Sequence, residues 1–123
     1  MPVSKISNVI LTISNLEKAL TFYRDVLGMH FNSIIPGEFA FLDAGGIVLV
    51  LRKGREKPNP GLTEVVFEVK DVMATYEELK AKGVTFPYAP RAVTGNETSH
   101  LYATDFRDPD GHILSITSWI PKK

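Results

Sequence analysis

With no cysteine in 123 residues, chemistry in this chain falls to oxygen and imidazole groups; disulfides, thiolate nucleophiles and cysteine-held zinc or iron–sulfur centres are excluded. Of the three histidines, His30 follows a helix stop and His112 follows the turn at Asp108 to Gly111, so both read as turn or surface residues. His100 opens a strand beside an irregular stretch, where an imidazole could reach the rim of a site. Among the carboxylates, Glu64 and Glu68 alternate with apolar Val65 and Phe67, and Arg52 closes another strand-like run. If these three share a face, Glu64 either serves as a general base, with His100 as its candidate catalytic companion, or joins an internal ion pair with Arg52. Tyr102, Trp119 and Phe39 offer rings for a planar ligand, or simply pack; Trp119 also suits a dimer contact.

The elements that position these groups follow from periodicity. Val9, Leu11 and Ile13 alternate with Asn8, Ile10 and Thr12, as in a strand packed on one face. Ser14 and Glu17 form an S-x-x-E capping box; Leu16, Ala19, Leu20, Tyr23, Val26 and Leu27 then recur at helical spacing until Gly28. Strands are expected at Phe39 to Leu42 and Ile47 to Leu51, around a turn. The order then returns: Val65, Phe67 and Val69 alternate, Asp71 caps a helix carrying Val72, Tyr76 and Leu79 that stops at Gly83, and Leu101 to Trp119 holds two strands hinged at Asp108 to Gly111. Tyr88 to Ser99 reads as an irregular, mobile lid.

An offset of 56 places Asn8 on Glu64 and Leu16 on Val72, and an offset of 65 lays FLDAGGIVLVL, from Phe41, on FRDPDGHILSI, from Phe106. This is an internal duplication. The expected fold class is α+β: one domain of two tandem βαβββ modules, about 4–53 and 62–120, joined by a connector at 53–61 too short to separate independent domains. Strand alternation puts Val9, Leu11, Ile13, Leu49, Leu51, Val65, Phe67, Leu114 and Ile116 against the helices. The opposite, mixed face carries Asn8, Val50, Arg52, Glu64, Glu68, Ser115 and Trp119, and either meets solvent or lines an open, barrel-like cup.

Fourteen basic residues balance fourteen acidic ones, so neither nucleic acid nor a membrane surface is expected as partner. No run approaches the ~20 apolar residues of a membrane span, and Glu17 and Lys18 interrupt the N-terminal segment where a signal peptide needs apolar residues. The expected location is cytoplasmic.

NVILTISNLEKALTFYRDVLG and FRDPDGHILSI resemble the vicinal oxygen chelate superfamily of glyoxalases, fosfomycin-modifying enzymes, bleomycin-resistance proteins and extradiol dioxygenases. The resemblance implies paired βαβββ modules, a homodimer and a cup for a small molecule. It also implies four metal-ligand positions, usually His, Glu, His and Glu, which here carry Asn8, Val50, Glu64 and Ser115. Of these only Glu64 is a strong donor for a divalent ion. The expectation is therefore a small-molecule binding protein with no cofactor, its ligand touching Asn8, Val50, Arg52, Glu64, Glu68, Tyr102, Ser115 and Trp119. The alternative is a lyase, transferase or dioxygenase in which Glu64 and a non-standard set hold Zn, Ni, Mn or Fe.

Overall fold

The computed structural model describes residues 2–54, 57–61 and 63–123. The chain divides into two compact units, Met1–Asn59 and Pro60–Lys123. Arg55 and Glu56 of the expected connector, and Leu62 at the start of the second module, lie outside the described residues.

In the first unit β1 (Asn8–Ile13) leads into α1 (Leu16–Leu20), then β2 (His30–Ile35), β3 (Phe39–Asp43) and β4 (Val48–Lys53). The sheet order is β1-β4-β3-β2, with β1 parallel to β4 and the other pairs antiparallel. The second unit repeats this with β5 (Glu64–Glu68), α2 (Val72–Ala81), β6 (Arg91–Gly95), β7 (Ser99–Arg107) and β8 (Ile113–Pro121), in the order β5-β8-β7-β6. The α+β class and the paired βαβββ order are thus as expected.

The two parallel pairings carry the repeat in their register. Asn8 stands beside Val48 and Glu64 beside Ile113; from 8 to 64 is 56, and from 48 to 113 is 65, the two offsets of the sequence. The antiparallel hairpins correct one detail. Phe41 pairs with Val50, but Phe106 pairs with Leu114, so the matched phenylalanines are not equivalent. The turn between Arg107 and Ile113 is one residue longer than that between Asp43 and Val48, because Asp108 Oδ1 accepts from the amides of both Asp110 (3.0 Å) and His112 (2.8 Å). Phe106 consequently turns into the core, and Asp105 takes the place that Phe41 holds in the first sheet. His112, expected as a turn or surface residue, belongs to this turn but is buried.

Two other expectations change. The first helix is capped by Asn15, whose Oδ1 accepts from the Lys18 amide at 2.9 Å, so the cap lies one residue beyond Ser14. It remains α-helical only to Leu20; Thr21–Val26 forms a π-helical segment, the Leu27 amide donating to Phe22 O at 3.0 Å and Tyr23 fully buried within it. The helix ends at Gly28 with φ of 76°, a conformation few other residues adopt. The irregular 88–99 stretch contains β6, a sheet-edge strand paired with β7 rather than a free lid. Asn96 closes that hairpin, its side-chain oxygen accepting from the amides of Thr98 (2.9 Å) and Ser99 (2.8 Å).

Apolar residues from each sheet and its own helix form the core: Leu11, Ile13, Leu16, Leu20, Leu42, Leu49 and Leu51 in the first unit, and Val72, Leu79, Phe106, Leu114 and Ile116 in the second. α2 is tied down at its start, where the Val72 amide donates to buried Ser118 Oγ at 3.0 Å, and along its length by Tyr76 on Phe86 and Phe86 on Phe106.

Candidate functional site

Each sheet packs one face against its own helix, and alternation assigns the remaining groups to the other, here called the free face. In the first sheet, register places Asn8, Ile10 and Thr12 of β1 with Val48, Val50 and Arg52 of β4 and Phe39 and Phe41 of β3 on the free face. Val50 is buried at its centre, between Ile10 and Phe41, while Asn8 and Arg52 are exposed. Asn8 Nδ2 donates to Ser7 Oγ at 3.0 Å, and Arg52 Nη2 lies 3.4 Å from Thr12 Oγ1. Phe39 and Phe41 stack with centroids 6.0 Å apart. This face joins a guanidinium to an aromatic and aliphatic surface; Phe41 is a member that sequence reasoning passed over.

In the second sheet the free face carries Glu64, Val66 and Glu68 of β5, Ile113, Ser115, Thr117 and Trp119 of β8, and Leu101, Ala103 and Asp105 of β7. Ser115 is buried between Val66 and Asp105, the counterpart of Val50 in the first sheet. Glu64 and Glu68 are exposed, and Trp119 is 49% exposed. Asp105 accepts a 2.7 Å hydrogen bond from the Tyr88 hydroxyl, and the Arg91 guanidinium lies 4.2 Å from the Tyr88 ring centroid. The hydrogen bond to Asp105 is the largest cause holding the Tyr88 phenol above its ordinary value, with burial second and the Asp105 charge third, while Arg91 opposes them. The arrangement fixes a neutral phenol on Asp105, the residue opposite Ser115, with a cation over its ring. Sequence reading missed it because Tyr88 and Arg91 lie in the supposed lid and because the extra turn residue hid which face Asp105 takes.

His100 and Tyr102 are corrected. They pair with Ile120 and Ser118, whereas Trp119 pairs with Leu101 and Ser115 with Asp105; alternation therefore puts His100 and Tyr102 on the helix side. The sheet itself stands between His100 and Glu64, so these two cannot form one catalytic pair across a shared face.

The donor set gives little support to a divalent ion. Asn8 supplies a neutral amide oxygen, Val50 has no donor, Ser115 a neutral hydroxyl and Glu64 one carboxylate. Among the described residues no three histidine or carboxylate side chains gather closely enough to hold a metal ion. These residues do not fit the four-ligand centre that the resemblance implies.

Tandem βαβββ units, each with a helix-covered face and a mixed polar face, define the glyoxalase-type class of proteins. The chain belongs to the Glyoxalase/Bleomycin resistance protein/Dioxygenase superfamily, whose family model matches residues 5–116. It is 27% identical over 120 residues to the metallothiol transferase FosB of Shouchella clausii, spanning 93% of this chain and 80% of that protein. It is 28% identical over 126 residues to a probable lactoylglutathione lyase of Vibrio cholerae, spanning 91% and 88%. In fold it is similar to TnmS3, an antibiotic binding protein from Streptomyces sp. CB03234, with a TM-score of 0.78, 22% identity and coverage of 98% and 99%.

Proposed function

We propose that this chain binds a small, partly aromatic organic molecule on the free faces of its sheets without the help of a divalent metal. The reading rests on residue chemistry within each unit: Val50 in the first and Ser115 in the second hold positions that the resemblance gives to metal ligands, neither is a strong donor, and each shares its sheet face with groups suited to a polar, planar ligand. Arg52 with Phe39 and Phe41 is one such group; Glu64, Glu68, Ser115 and Trp119 form another. His100 and Tyr102 leave the proposed contact set. The antibiotic binding activity named for TnmS3 supports the ligand class, and the fold it shares with this chain supports only the scaffold. We further propose that the protein works in the cytoplasm as a homodimer.

The similarity to a metallothiol transferase keeps a second reading in play, an enzyme in which Glu64 and a non-standard set hold Zn, Ni, Mn or Fe. One experiment separates the two. A panel of aromatic antibiotics and related polycyclic compounds is screened by thermal shift against protein purified without chelator, with and without EDTA, alongside elemental analysis. Metal-free protein whose hits are unchanged by EDTA is the expected result; stoichiometric metal, or hits that vanish with EDTA, favours the enzyme.

A further inference from the structure

The helix side of the second sheet extends past its helix. α2 begins over Ser118 and runs towards Phe106, so the next pair on that face, His100 with Ile120, lies beyond the helix start. There an open groove of about 390 Å³ is lined by His100, Tyr102, Ile120, Pro121, Lys122 and Lys123. That volume lies in the range of small-molecule sites.

The groove's lining includes two lysines and a histidine but no Asp or Glu side chain, with Ile120 and Pro121 as its apolar members, and the rings of His100 and Tyr102 meet edge to face at 6.5 Å. The position of His100 is also built in. It pairs with Gly95, where a Cβ would fall 2.8 Å from His100 Nδ1 and 3.1 Å from Ser99 O. Gly95 has no left-handed φ, so the backbone does not demand a glycine there; the missing side chain makes room for the imidazole.

We propose that this groove is a second binding site, separate from the free faces of the sheets, and that it takes a small aromatic carboxylate. The ring lies against His100 and Tyr102 and the carboxylate meets the ammonium groups of Lys122 and Lys123.

The probe is 2-naphthoate, followed by NMR of the histidine and tyrosine ring resonances of the intact chain, with neutral 2-naphthalenemethanol as its uncharged partner. The expected result is a saturable shift of the His100 and Tyr102 resonances, with affinity reduced at least tenfold by H100A, by the K122Q/K123Q pair, and by removing the charge from the probe. G95A keeps every groove side chain but displaces the imidazole, and is expected to weaken binding as well. Shifts confined to residues of the free face, equal binding of the neutral probe, or naphthoate affinity unchanged in the H100A and lysine variants would each overturn the assignment.

Discussion

Asp105 illustrates how much a single side chain gains from its register. It lies opposite Ser115 on the free face and accepts from the Tyr88 hydroxyl, which holds the phenol's proton above the ordinary value of 10.0. A raised phenol value means that the folded chain keeps a proton the unfolded chain releases. The linked stability is therefore intact below about pH 10 and is lost as pH rises through the folded value. In D105N the Tyr88 ionisation moves down in an ultraviolet phenolate titration, and the alkaline fall in stability that Tyr88 contributes flattens; an unmoved titration would contradict the hydrogen bond's role. Trp119, half exposed and the sole tryptophan, gives a second residue-scale readout. A ligand on the second sheet's free face alters its emission, and E64Q weakens that response roughly tenfold, the scale of one charge-assisted hydrogen bond. Unchanged affinity would remove Glu64 from the site. Glu64, Ser115 and Trp119 were legible as one face because strict alternation sorts them; Asp105 was not, because one extra turn residue reverses the face and nothing in composition marks it.

At the scale of elements, the strands that bury one face announced themselves, the edge strands β1 and β5 among them, while the edge strands β2 and β6 did not. β2 and β6 are largely exposed, and each contains a bulge, between Phe31 and Ser33 and between Ala92 and Thr94. A bulge breaks the two-residue period on which sequence reading of a strand depends, and an exposed edge lacks the apolar face that would restore it. The helices show the same dependence on local chemistry. Asp71 caps α2 as expected, its Oδ1 accepting from the Ala74 amide at 3.1 Å, and the helix start is pinned again by Ser118. Replacing Asp71 with alanine leaves that amide to water and is expected to cost about 1 kcal/mol. Urea unfolding checks this: the midpoint falls while the slope stays the same, since the surface exposed on unfolding does not change. A changed slope would mean that the cap controls more of the chain than one helix end.

For the molecule as a whole, duplication explains the repeated register of the fold. The bulges fall 61 residues apart, from Phe31 to Ala92 and from Ser33 to Thr94, between the offsets of 56 and 65 at the first and last strands. Both copies thus keep the same irregularity, while the second carries the extra residues in its connections. Conserving the scaffold's register does not require conserving donors: Val50 and Ser115 occupy matching, buried strand centres, and neither is a strong metal ligand. This gives a test by mass action. An ion bound only by the folded chain at a thousand times its dissociation constant would add about 4 kcal/mol to stability. In a chain of this size that would raise the melting temperature by roughly ten degrees or more. Addition of Zn, Ni, Mn or Fe(II) in turn, or removal of metal with EDTA, is expected to leave the calorimetric melting temperature within a degree or so, far inside that range. A rise of the larger size with one of these ions, reversed by chelation and abolished by E64Q, would show that Glu64 anchors a centre the other three positions do not predict.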